Sequence, residues 1–278
     1  MSDPAVSTAR TRTWLTRAAN AGGGAGRVRR AAGRVVAPVL GVVGLVAMWW
    51  AAVEVFDVAA YLVPAPPGVA AALRAWPEYL AAHTWVTLRE ALAGFGLALA
   101  TGLPIGALLA TSRQVAAGLM PTLLAVAAIP KPALAPVLLT MLGFGAGPKI
   151  VMVWLMCLFP ITLAVHAGLT QTPADLVELA RALTASRLRT LWTIRLPAAL
   201  PHVFVGVKQA LPLAVIGAVV AELFGGSEGL GFVIQTAGTD ANLAFAAIAL
   251  LATMTITLHS LARRAETWAI PWIRHTTN

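Results

Sequence analysis

Few residues in this chain can do chemistry. It has 278 residues, 59% of them hydrophobic, with 20 Lys and Arg, 11 Asp and Glu and five His. The histidines (His83, His166, His202, His259 and His275) are scattered. No pair stands four residues apart and no H-E-x-x-H occurs, so no metal site is expected from them. His166 reads as a polar residue satisfied between helices rather than as a ligand. The lone Cys157 lies in an apolar run; it fits neither a disulfide framework nor a zinc pattern and reads as a buried, inert thiol. The stretch "GFGAGPK" (143–149) has the glycines and lysine of a phosphate loop. The G-x-x-x-x-G-K-[ST] spacing fails, however, and no strand precedes it, so it reads as a flexible outer loop. No Ser/His/Asp arrangement stands out, and no carboxylate pair lies inside an apolar run. Catalysis is therefore not expected, and no cofactor is expected in this chain. Any uphill work must draw its energy from another chain.

Two charges nevertheless stand in apolar surroundings. Lys131 lies near the middle of "PTLLAVAAIPKPALAPVLLTML", where a charge costs roughly 2.5–3.5 kcal/mol on membrane-insertion scales. Pro121, Pro130, Pro132 and Pro136 should bend or unwind that run, which is tolerable only against protein or a water-filled cavity. Lys131, with Pro130 before it, is thus a candidate for a solute path, where it would favour an anion. The alternative is a lysine that snorkels or pairs with an acid such as Glu222 or Glu90. Glu222 precedes Gly225, Gly226, Gly229 and Gly231. Either it caps an outer gate, with Gly226 and its neighbours letting the segment fold back, or it sits at the headgroups.

The elements that must position these residues follow from composition. Only 11% of residues are charged and mean hydropathy is +0.80, whereas soluble domains carry about 25% charged residues. A soluble fold of this length cannot bury so much apolar surface, so the chain is read as an integral membrane protein. A spanning helix needs about 20 apolar residues. Six candidates occur, at about 36–56, 88–110, 117–142, 149–170, 203–224 and 243–262. The alternation of barrel strands is absent, so the fold class is all-α and polytopic. The formal net charge of +9 comes from arginines spread along the chain without an aromatic–basic motif, so nucleic acid is not an expected partner. Instead the charge sets topology. Seven arginines precede the first span; with that tail in the cytoplasm, Arg113, the arginines at 181, 187, 189 and 195, and Arg263, Arg264 and Arg274 also lie inside. Both termini are then cytoplasmic. Residues 1–35 read as a disordered basic tail, in reach of membrane lipid, and 36–278 as one transmembrane domain. Trp49, Trp50, Trp85, Trp268 and Trp272 suit interfacial belts.

The most charged interruption is "ELARALTASRLRTLWTIRLPAALP" (178–201), which holds Glu178, Arg181, Arg187, Arg189 and Arg195. Thr172 as N-cap, Pro173 in the first turn and Asp175 compose a capping box. Leu176, Leu179, Ala180 and Leu183 then recur at helical spacing. A break near Thr184–Ser186 precedes a second short amphipathic piece, which Leu196-Pro197 should stop. On physics alone this is either an interfacial connector or a helix–turn–helix offered to a partner.

The stretch resembles the E-A-A…G…I-x-L-P cytoplasmic loop of the permease subunits of binding-protein-dependent ABC importers, with Glu178, Ala180, Thr184, Ile194, Leu196 and Pro197 on its positions. "LVPAPPGV", "HTWVTLREALAGFGLALATGLPIGALLATSR", "AIPKPALAPVLLTMLGFG" and "AELFGGSEGLGFVI" resemble, in order, segments of the nitrate/sulfonate/taurine-type permeases. The resemblance implies a type I importer transmembrane domain with a coupling-helix loop at about 171–201. It also implies a place in a bacterial plasma membrane and a small, anionic solute. A vitamin precursor is the alternative solute, and a polytopic membrane enzyme or a scaffold the alternative class. The implied partners are a cytoplasmic ATP-binding subunit, which would hold ATP and Mg, an extracytoplasmic solute-binding protein and a second copy of the permease. The ATPase contact would fall on Glu178, Ala180, Arg181, Thr184, Ala185 and Ser186, with Leu196 and Pro197 closing the loop. Thr184 departs from the family's Gly. A β-branched residue at φ > 0 is strained, so the turn should have a different backbone or the two helices another angle.

Overall fold

Prolines, glycines and capping side chains decide where the helices begin and end. The computed structural model describes residues 40–173, 175, 178, 182 and 186–272, and every regular element among them is helical. Residues up to Pro67 and those from Gly68 onward compose two separate units. In the first, α1 (Leu40–Val55) is a short apolar helix. It is followed by Asp57 at φ 47°, a left-handed turn that a short acidic side chain tolerates. The basic tail lies outside the described residues.

Helix α2 (Pro66–Ala75) starts with two prolines, whose missing N–H groups are free of cost in a first turn. Pro77 likewise starts α3 (Pro77–Thr111). Ser112 then ends α3 and caps α4 (Arg113–Ala128), its Oγ accepting from the Gln114 N–H at 3.1 Å. After Ile129 and Pro130 the chain turns by 89° into α5 (Lys131–Leu142). The expected third span is thus a broken pair, and of its four prolines only Pro130 lies at the break, as N-cap of α5; Pro132 follows in the first turn, while Pro121 and Pro136 stay within helices. The loop expected at 143–149 is shorter than its glycines suggest. Gly143 and Gly145 turn the chain at φ 77° and 130°, and α6 (Ala146–Thr170) already contains Lys149.

Helix α7 (Leu196–Gly225) overturns another expectation. Leu196-Pro197 does not stop the preceding helix: a π-helical turn, Leu191–Arg195, runs directly into α7. A proline ring clashes with the carbonyl four residues back in a regular helix. The wider turn, with the Leu196 N–H donating to the Leu191 carbonyl, makes room for Pro197. Residues Leu191–Gly225 are thereby one 35-residue rod. After Gly229 (φ 108°) the seven-residue α8 (Leu230–Thr236) folds back. Asp240 caps α9 (Ala241–Ala269), accepting from the Leu243 N–H at 3.2 Å. Among the described residues four helices are long and apolar enough to span a membrane, and the α4–α5 pair makes a fifth if counted as one span.

The centre of the second unit is α6, packed between α3 and α7. Lipid tails are as apolar as the side chains, so helices associate through close van der Waals fit and small residues. Gly94, Ala98, Gly102 and Gly106 recur every fourth residue on α3, where α6 leaves no room for more. A β-carbon at Gly106 would lie 2.6 Å from the Thr162 carbonyl oxygen, and Gly168 and Gly217 serve α6 and α7 in the same way. The core between them holds Val153, Ile161, Ala210, Ala214 and Ala218, with Cys157 wholly buried and its thiol donating to the Ala210 carbonyl at 3.3 Å.

Candidate functional site

The bundle presents two ends with different chemistry. At one, the connection from α6 to α7 leaves the membrane-spanning rods. Thr172 Oγ1 donates to the Leu169 carbonyl at 3.3 Å, and Asp175, Glu178 and Ala182 are helical and exposed. Ser186 is the break expected near 184–186. Its Oγ accepts from the Arg189 N–H at 3.3 Å, which starts the turn Arg187–Thr190. Ala180, Arg181, Thr184 and Ala185 lie outside the described residues. Leu191 packs on Leu169 and Ala199, while Trp192 stays exposed. The second half of this charged connector is continuous with α7.

The other end holds a buried polar cluster assembled from four elements. Glu222 has no exposed surface. Its Oε1 accepts from Thr87 Oγ1 at 2.8 Å and its Oε2 from the Gly231 N–H at 2.6 Å. Thr87 Oγ1 in turn accepts from the Leu230 N–H at 2.8 Å, and His83 Nδ1 accepts from the Gly229 N–H at 2.9 Å. Lys149 pairs with Glu90 at 2.9 Å and also donates to the Glu228 carbonyl at 3.2 Å. The second carboxylate oxygen of Glu90 is buried without a partner. Gly226 ends α7, its N–H donating to the Glu222 carbonyl at 2.9 Å. Four consecutive backbone groups, from the Glu228 carbonyl to the Gly231 N–H, are thus held by side chains of α3, α6 and α7.

Lys131 joins neither cluster. It is the first residue of α5, partly exposed, and its ammonium donates to the Ala127 carbonyl across the bend. The acids suggested as its partners are engaged elsewhere, and the two ion pairs among the described residues are Lys149–Glu90 and Lys208–Glu266. The Nδ1 atoms of His166 and His202 are buried without a hydrogen-bond partner among the described residues. His202 and Gln209 line an otherwise apolar groove of about 340 Å³ between α6 and α7. No group of His, Cys, Asp or Glu fit to hold a metal occurs among the described residues.

Thr87 went unmarked in the sequence, His83 was read only as one of five scattered histidines, Lys149 as part of an outer loop, and Glu90 only as a partner for Lys131. A signal was there. The second and fourth expected spans begin on the same side, and Glu90 and Lys149 stand at their starts, so an acid and a base share one depth.

An all-helical bundle with four long apolar helices and one sharply bent helix pair among its described residues is the architecture of a multi-pass membrane protein. A family model, "Binding-protein-dependent transport system inner membrane component", matches residues 102–274. The chain belongs to this family of ABC importer permeases. A probable ABC transporter permease protein of Haemophilus influenzae is 38% identical over 245 residues, covering 87% of this chain and 96% of its own. The riboflavin transport system permease protein RibX of Chloroflexus aurantiacus is 36% identical, covering 82% and 87%. The taurine transport system permease protein TauC of Escherichia coli is 30% identical, covering 81% and 86%. A chain of the MetNI methionine ABC transporter, solved in inward-facing conformations, shares the fold with TM-score 0.61 at 21% identity, over 68% of this chain and 94% of that one.

Proposed function

We propose that this permease lines the path of a small solute handed over by an extracytoplasmic binding protein, and that a separate ATPase docks on the 171–195 connector to drive it. The observation that carries the reading is the connector's continuity with α7. Whatever moves Ser186 to Arg195 moves a helix of 35 residues, about 50 Å at 1.5 Å per residue. Glu178, Ala180, Arg181, Thr184, Ala185 and Ser186 are the proposed contact, with both termini on the same side as the ATPase and a second copy of the chain completing the path.

The solute proposed first is a small organic or inorganic anion such as a sulfonate, taurine or nitrate, because Lys131 places a partly exposed cation at the bend between α4 and α5. A vitamin or vitamin precursor is the second reading, favoured by the greater identity to the riboflavin permease. Reconstituted complexes with their binding protein, offered both solute classes, separate the two. For the docking contact, Glu178→Ala or Ala185→Trp should leave solute delivery intact while ATP hydrolysis no longer drives uptake. Unchanged uptake in both variants would refute it.

A further inference from the structure

We propose that Glu222 is the positioning residue of a gate, made by residues 226–236, that closes the end of the bundle opposite the connector. The inference rests on the importer reading for its place in the cycle, but the gate itself is argued from geometry. The segment 228–231 contributes a carbonyl and three N–H groups, and each is satisfied by a side chain from outside the segment: Lys149, His83, Thr87 and Glu222. Those side chains come from three different helices, so the segment is locked only while α3, α6 and α7 keep one mutual arrangement. Thr87 and Lys149 also join the segment to the scaffold, but Glu222 is the member on α7, accepting from Gly231 of the segment and from Thr87 of α3 together.

The local sequence is fitted to this clamp. Gly229 has φ 108°, and a β-carbon there would collide with the Glu222 carboxyl. A β-carbon at Gly231 would lie 2.6 Å from the Val219 carbonyl and 2.7 Å from Glu222 Cβ. Leu230 and Val233 are sealed beneath the clamp with no exposed surface, and Phe232 stacks on His83 with ring centroids 5.9 Å apart. Glu222 ends the same rod that begins at Leu191 beside the connector. Movement of that rod by a partner at the far end withdraws the carboxylate from Thr87 and Gly231 and releases the segment.

The test uses the full chain with Cys157→Ser and Val233→Cys, so that a water-soluble maleimide reads exposure of position 233. Glu222→Gln places an amide that cannot accept both bonds, and Thr87→Val removes the hydroxyl; leaving buried donors and acceptors unpaired is costly enough that each should raise the labelling rate about ten-fold. Thr87→Ser should restore slow labelling. In the complex with its ATPase, the two gate variants should also hydrolyse ATP without the binding protein, a change that mere destabilisation does not produce. Unchanged labelling in Thr87→Val would overturn the gate even if Glu222→Gln fails to assemble. Raised labelling with ATP hydrolysis still dependent on the binding protein would overturn its coupling role. Failure of the parent chain to associate with any ATPase would instead sink the importer reading, since the labelling arm needs no partner.

Discussion

Replacing Lys149 by methionine should cost this protein more than any other single change at the buried cluster. The substitution keeps the length of the stem and removes the ammonium. Glu90, only 2% exposed, then loses the partner of Oε1 at 2.9 Å, and its Oε2 has none to begin with. The Glu228 carbonyl loses its donor as well. Breaking a buried ion pair from one side costs about 3–5 kcal/mol, or roughly two to three and a half powers of ten in the unfolding equilibrium. The double variant Lys149→Met/Glu90→Met exchanges the pair for apolar groups of similar size, and such exchanges are often neutral. It should recover most of the loss, which is the non-additivity expected of directly contacting residues. Unfolding by SDS in mixed micelles, followed by tryptophan fluorescence and circular dichroism, gives the three stabilities. If Lys149→Met matches the parent, or if the double variant is no better than the single, the pair does not hold the cluster together.

Other substitutions probe the packing and the path. Gly106→Leu would drive a side chain into the Thr162 carbonyl and Val165 and should destabilise by about 1–3 kcal/mol or more through overpacking. Gly96→Ala meets nothing within 4 Å and should be neutral or stabilise by up to about 1 kcal/mol; the same SDS titration compares them. Lys131→Gln should lower uptake of anionic solutes relative to neutral ones in proteoliposomes, and an unchanged preference would remove Lys131 from the path.

Hydropathy and proline content made the membrane class and a bend somewhere in the third apolar run legible, because insertion energy and a missing N–H are local properties of a segment; of the six spans expected, four are long enough among the described residues, five with the bent pair. A break near Thr184–Ser186 was expected, and the Ser186 hydroxyl capping the turn that follows is what the structure adds. Boundaries were less legible. Pro197 read as a stop, but a π-helical turn absorbed it, and that accommodation depends on the backbone of several residues together. Lys149 read as part of a loop because its neighbours are glycines, whereas α6 begins three residues before it. The pairing of Lys149 with Glu90, the burial of Glu222 and the seating of 228–231 on Thr87 and His83 join residues up to 146 positions apart. No periodicity encodes those partners. By itself the sequence determined that this chain lives in a membrane, and it left the charged connector open between an interfacial element and a docking surface. Only the tertiary structure decided which charges meet. In a medium without water a buried charge takes whichever partner the helix packing brings within 3 Å, and the glycines at the helix interfaces set that packing.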